Sequence, residues 1–211
     1  SWGPANANTL ALKLGSTGWM VISPALGVPA SVYDELEREG GVSVLLAPNA
    51  YHYRGQAAWQ RRFPEARSFA PRGSLERIAK KATLTFTCAE ELAGELPAGV
   101  ELVFPQGQKS PDMLVRFNAT SGETTWWLGD LFSNTSPADQ VWWLRALSRL
   151  AGSGPGYRRN ARPELVYVNE RQAWLASVRR ALVQYPPALV VPAHGDAIVA
   201  DAEPRTTALL R

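Results

Sequence analysis

Val42-Ser43-Val44-Leu45-Leu46-Ala47-Pro48-Asn49-Ala50-Tyr51-His52-Tyr53-Arg54-Gly55 is an apolar run that breaks abruptly into a polar and aromatic loop. The run Val42–Leu46 fits a strand buried on both faces better than an edge strand, because it does not alternate. The loop behind it carries one of only two histidines in the chain. The other, His194, lies in Pro192-Ala193-His194-Gly195-Asp196, directly behind a second apolar run, Leu189-Val190-Val191. Between the two, Trp126-Trp127-Leu128-Gly129-Asp130-Leu131-Phe132 sets a carboxylate at the end of a third run. Metal-binding and catalytic groups favour such places, since a rigid strand positions the residue while the loop presents it.

Working outward, Thr9–Leu14 alternates apolar and polar residues, Gly15–Gly18 supplies a turn, and Trp19–Ile22 follows, which predicts a β-hairpin. After Pro24 and Pro29, Ser31 reads as a helix N-cap with Asp34 three residues on, and Gly40-Gly41 ends that helix. Gln56–Arg62 reads as a short helix stopped by Phe63-Pro64, and Ser74 as the cap of another over Leu75–Lys81. Strands are expected at Ala82–Thr87, Val100–Phe104, Met113–Phe117 and Thr124–Leu128, the last two joined as a hairpin through Gly122. Ser136-Pro137 opens a helix with Trp143, Leu147 and Leu150 on one stripe, ending at Gly152. A loop from Gly152 to Pro163 then leads to an expected strand at Leu165–Val168. Asn169 reads as the cap of a long helix with Trp174, Val178 and Leu182 on one face up to Pro186, and Leu189–Val191 as the closing strand. Hairpins near both ends with helices between them predict an α/β fold of two packed sheets with helices outside.

The 211 residues, 45% of them hydrophobic, suffice for one sizeable domain, and no linker or repeat divides them, so a single domain over 1–211 is expected. Lys plus Arg number 22 against 19 Asp plus Glu, and a net charge of +3 argues against a nucleic-acid partner. The basic stretches at Arg158, Arg159 and Arg162 and at Arg77, Lys80 and Lys81 read as solvated faces. The one cysteine, Cys88, excludes an intrachain disulfide and a thiolate zinc cluster, and reads as a small buried hydrophobe. No apolar run approaches the roughly 18 residues of a membrane span and no signal peptide is visible, so a cytoplasmic protein acting on a small molecule, away from membranes, is the expectation.

Two imidazoles and one carboxylate at three strand ends form a donor set for one divalent metal, with an open position for water. Zinc, iron(II) and manganese all suit it. The same residues have plain structural roles open to them: His52 as a hydrogen-bonded loop residue, His194 as a packing residue beside Gly195, Asp130 as a turn acceptor.

The hairpin ending near Ser23-Pro24, the buried strand with its ligand loop, the strand end at Gly129-Asp130 and the terminal Ala193-His194-Gly195 together resemble the metallo-β-lactamase superfamily over nearly the whole chain. The resemblance implies a four-layer αββα sandwich. Members carry a His-x-His-x-Asp-His motif, a further isolated His, an Asp bridging two metals and a final His. Aligned through Gly55, Pro48 and Ala50 stand where the first two histidines belong, His52 where the Asp belongs and Tyr53 where the last His belongs. With no histidine between His52 and His194, the first metal site has lost every ligand of its own, and Pro48 and Ala50 are expected to line its place. Asp130 matches the bridging Asp and His194 the final His. Leu46-Ala47-Pro48-Asn49, Tyr51-His52, Trp59 and Phe63-Pro64-Glu65-Ala66 also resemble an uncharacterised branch with His-His where His52-Tyr53 stands here.

The resemblance implies a mononuclear hydrolase with His52, Asp130 and His194 as metal ligands, Asp130 and His194 being central to catalysis. Water activated there would attack an ester, thioester, lactone or amide. Tyr53 would hydrogen-bond behind the ligands, since a phenol must lose its proton before it ligates, and Asn49 or Asp196 would orient water or substrate. The alternative is a member with no metal and no catalysis, kept as a binding module. A nuclease ranks last, because phosphodiester work in this family uses the two-metal site.

Overall fold

The computed structural model describes residues 7–136 and 155–211. The helix expected behind Ser136-Pro137, with Trp142, Trp143, Leu147 and Leu150, lies outside the described residues. The chain folds as two compact units: Thr9–Ala98, and Gly99–Arg211 together with Ala7 and Asn8.

The first unit has one sheet of five strands in sequential order: β1 Leu10–Lys13, β2 Trp19–Ile22, β3 Val42–Leu46, β4 Arg67–Ala70 and β5 Thr87–Cys88. β1 and β2 form the predicted antiparallel hairpin, and β2 through β5 run parallel. Parallel neighbours need crossovers, and α1 Ala30–Arg38, α2 Gln56–Arg62 and α3 Arg72–Ala79 supply them. The short α4, Ala89–Leu92, follows β5. β3 is central, and Val44, Leu45 and Leu46 are all buried, as the unbroken apolar run predicts. Val21 and Leu45 pack with Leu36, Trp59 and Phe63 from the helices. Because β2, β3 and β4 are parallel, Ser23, the His52 loop and Pro71 all leave the sheet at its carboxyl edge.

Both serine caps are misplaced in the sequence reading, for one reason. α1 opens at Ala30 behind Pro29, and α3 at Arg72 behind Pro71. Each proline has extended backbone and offers its carbonyl to the first turn, from Val32 N at 3.0 Å and from Ser74 N at 2.8 Å. Ser31 and Ser74 therefore fall inside the helices. The strand expected over Ala82–Thr87 shrinks to Thr87–Cys88, with Cys88 buried as expected, and two strands were not expected at all: β4, and Gly156–Arg159 in the second unit, which falls in the stretch read as a loop from Gly152 to Pro163.

The second unit holds β6 Val100–Val103, β7 Leu114–Asn118, β8 Thr124–Thr135, β9 Gly156–Arg159 and β10 Leu189–Gly195, ordered β10-β8-β7-β6 with β9 also on β8. β7 and β8 form the predicted hairpin, and β10 lies parallel to β8. Its helices are α5 Ala161–Tyr167, α6 Arg171–Gln184 and α7 Ala202–Ala208. Trp174, Val178 and Leu182 bury the predicted face of α6 against Trp126, Leu128, Phe132 and Val190. Trp126 and Trp127 are both fully buried, so neither ring stands outside a core.

Leu165–Tyr167, expected with Val168 as a strand, belongs to a helix, and Val168 just behind it is extended. Pro163 lies in the helix's first turn, where proline is tolerated, and Leu165 and Val166 face solvent while Tyr167 is buried. Asn169 does not cap α6; the Gly107 carbonyl accepts from both Asn169 N and Glu170 N at 3.0 Å. No helix among the described residues is long and apolar enough to cross a membrane.

Trp174 is 0% exposed and its ring lies 6.1 Å from that of Phe132. Trp174→Ala should therefore cost about 3–5 kcal/mol in urea unfolding of the purified protein.

Candidate metal centre

His52 belongs to the first unit. Asn49, 0% exposed, folds the loop that carries it: its Oδ1 accepts from Tyr51 N at 2.9 Å and His52 N at 3.2 Å. This side-chain turn is the local reason the chain reverses immediately after β3. Gly55 closes the loop so tightly that a Cβ there would lie 2.0 Å from the Pro24 carbonyl oxygen. The His52 ring is partly buried, and its Nδ1 lies 2.7 Å from Ser23 Oγ at the end of β2. Tyr53 packs against Ala47, Ala70 and Ile78 in an apolar cluster, and Arg77 covers the Tyr51 ring at 4.5 Å. Pro48 and Ala50 are both buried.

Asp130 and His194 belong to the second unit, and the structure brings them together. The register of β10 against β8 runs Pro192↔Leu128 and then His194↔Ser133, two residues forward on β10 and five on β8. Gly129–Phe132 is thus a bulge in β8, and Asp130 stands on it. The bulge is shaped from behind by Asp112, 0% exposed, whose Oδ2 accepts from Leu131 N at 3.1 Å. A Cβ on Gly129 would lie 2.2 Å from Asp112 Oδ1, so only glycine lets that carboxylate in. Asn160 Nδ2 donates to the Asp130 carbonyl at 2.8 Å, while Asn160 Oδ1 accepts from Ser133 Oγ at 2.9 Å.

The Asp130 carboxylate is held on both oxygens. Tyr167 Oη donates to Oδ2 at 2.7 Å, and His194 Nε2 lies 3.1 Å from Oδ1. Asn8 Nδ2 steadies the His194 strand end by donating to the carbonyls of Pro192 at 2.8 Å and Gly195 at 2.6 Å. Gly195 has φ 87°, and a Cβ there would lie 2.0 Å from Asn134 O, so the glycine after His194 is sterically required. Asp196 is exposed and, with Asn134, Thr135, Ser136, Pro155 and Gly156, lines an open cavity of about 370 Å³ beside the end of β10.

Ser23, Asp112, Asn160 and Tyr167 are the supporting residues that sequence reasoning passed over. Only Tyr167 left a usable signal, as the one hydroxylated aromatic residue in a run otherwise read as an apolar strand.

No protein-family model and no curated protein matches the chain by sequence. Solved structures do match it. A metallo-β-lactamase from Pontibacter korlensis superposes with a TM-score of 0.59 at 16% identity, covering 97% of this chain and 86% of that one. One from Hirschia baltica gives 0.60 at 13% identity, over 97% and 86% of the two chains. The DIM-1 metallo-β-lactamase gives 0.60 at 13% identity, over 100% and 89%. The chain has the metallo-β-lactamase fold. That outcome agrees with the expected mixed α/β class and its two sheets. His194 lies near the end of β10, whereas the strand expected to stop at Leu128 runs on to Thr135, so Asp130 sits on a bulge within β8 rather than at a strand end.

Gly129→Ala should drive its Cβ into the Asp112 carboxylate and cost about 1–3 kcal/mol of stability. Tyr167→Phe deletes one hydrogen bond to a carboxylate and should cost about 1.5–3 kcal/mol. Thermal denaturation of both variants checks the pair, and a Gly129→Ala protein as stable as the parent would contradict the close approach.

Proposed function

We propose that this protein is a mononuclear metal-dependent hydrolase with His52, Asp130 and His194 as ligands of one divalent ion. The observation that carries the reading is the Asp130–His194 pair: a carboxylate oxygen and an imidazole nitrogen 3.1 Å apart where β8 bulges beside β10, with the other carboxylate oxygen held by Tyr167. Ligands of metals are typically steadied in this way by a hydrogen bond on their far side. His52 shows the same pattern through Ser23. Two imidazoles and one carboxylate make a donor set that fits zinc, iron(II) or manganese.

A divalent ion held there supplies Lewis acidity at a carbonyl and activates water at neutral pH. The chain's own residues do the rest. The bulge and the Gly195 turn set the backbone from which Asp130 and His194 project, and Tyr167 fixes the carboxylate. Beside the end of β10, Asp196 exposes its carboxylate on an open cavity lined by Thr135 and Ser136, where it could orient water or substrate. Tyr53, packed in an apolar cluster, is assigned no ligand role.

A second reading rests on the count of histidines. With only two in the chain, a full two-metal ligand set is impossible, and a protein that kept the fold as a binding module without metal accounts for the same sequence.

Elemental analysis of protein purified without added metal or chelator separates the two: a stoichiometric metal supports the hydrolase, and none supports the binding module. In titrations with zinc, iron(II) and manganese, His194→Ala should abolish uptake and any hydrolysis of generic ester, thioester and lactone substrates. Tyr53→Phe should keep most of both. Affinity should fall as the solution is acidified, because protons compete with the ion for the imidazole nitrogens. Unchanged uptake in His194→Ala would end the hydrolase reading.

A further inference from the structure

Ser23 is one of two non-glycine residues among those described with positive φ, at 54°. Side chains avoid that region because Cβ crowds the following carbonyl, and serine has no special tolerance for it. The strain is fixed from both sides. Ser23 N donates to Leu46 O at 2.9 Å, and its carbonyl accepts from Thr9 Oγ1 at 2.8 Å, while Thr9 Oγ1 itself accepts from Ala25 N at 3.0 Å. Glycine would satisfy every one of these backbone bonds without strain. What glycine lacks is the hydroxyl, and that hydroxyl lies 2.7 Å from His52 Nδ1 in a residue only 2% exposed. The strained backbone thus serves one side-chain contact, as strain at functional positions commonly does.

We infer that Ser23 is a positioning residue that holds His52 in the tautomer protonated at Nδ1, so that Nε2 carries the lone pair required to ligate a metal. The inference rests on the proposed ligand role of His52. If Nδ1–H donates to Ser23 Oγ, the second ring nitrogen is an acceptor and ligation falls to it. If the hydroxyl were absent, nothing in this contact would select that tautomer, and the ring could rotate about its own axis. The Asn49 turn fixes the His52 backbone, so Ser23 acts on the ring alone.

The test compares the parent with Ser23→Ala and Ser23→Gly. Both remove the hydroxyl, but glycine relaxes the backbone, so a merely structural role for Ser23 predicts opposite effects and a positioning role predicts the same effect. The chain holds only two histidines, so nitrogen-15 spectra of the metal-free protein, recorded above the pH at which the rings are neutral, resolve each ring. The parent should show His52 with Nδ1 protonated and Nε2 bare. Both variants should lose that preference, leave His194 unchanged, and bind zinc about 10–100-fold more weakly, while Ser23→Gly keeps a near-parental thermal midpoint. His52 held as the Nδ1–H tautomer in both variants, with unchanged zinc affinity, would overturn the inference. So would a parent ring protonated at Nε2. A parent that shows the expected tautomer and its loss in the variants, yet binds no zinc, would leave the Ser23 contact standing and defeat the metal-dependent reading instead.

Discussion

A buried carboxylate organises the second unit. Asp112 has no exposed surface, and burying so polar a group is costly unless fixed dipoles replace its bonds to water. Leu131 N–H is one such dipole, and Gly129 yields the space for the group by having no side chain. The outcome is a strand that cannot remain regular: β8 carries three residues more than β10 across the bulge, and Asp130 is pushed out of the ladder toward His194. Asn160 and Tyr167, from the start and end of α5, then fasten the displaced residue at its carbonyl and its carboxylate. Remove the bulge, and Asp130 would return to the alternation of an ordinary strand, with its side chain set by the pleat rather than by these partners.

The first unit reaches a comparable end by different means. Parallel strands align their carboxyl ends, which is where open α/β sheets present ligand-binding loops. Two residues at that edge are bent away from ordinary strand geometry. Asn49 turns the chain through its side chain, and Ser23 does so through a left-handed backbone. Gly55 then lets the loop pass against Pro24. The two halves share a principle: each presents its chemical residue where a strand departs from regular geometry, behind the end of β3 for His52 and on a bulge within β8 for Asp130, with neighbouring glycines and side-chain hydrogen bonds holding the departure in place.

Much of this was legible in the sequence. β3, α2, the two hairpins and the buried face of α6 follow from unbroken apolar runs, proline stops and helical spacing, all of which are local. His52, Asp130 and His194 drew attention because each directly follows such a run. The misreadings arose where a distant or neighbouring backbone group took over a role assigned to a side chain. Pro29 and Pro71 carbonyls open helices that Ser31 and Ser74 were expected to cap. Leu165–Val168 is short and apolar, a pattern that spacing alone does not divide between strand and helix. The contacts of Asp112 with Leu131 and of Tyr167 with Asp130 were invisible for a stricter reason: they span 19 and 37 residues, and no periodicity encodes such a contact.

On the proposed reading, the exchange of a carboxylate for His52 has an electrostatic meaning beyond the loss of a ligand. A divalent ion among two neutral imidazoles and one carboxylate keeps roughly one unit of positive charge, where a second carboxylate would cancel it. Less charge compensation weakens retention of the ion, and it also leaves the ion a stronger Lewis acid toward a carbonyl oxygen. These effects oppose each other in their consequences for turnover, so the substitution does not by itself mark a dead site. What decides is whether the supporting contacts hold the remaining donors well enough to offset the missing charge. Tyr167 on Asp130 and Ser23 on His52 are contacts of that kind, and Ser23 maintains its own against the conformational preference of its backbone.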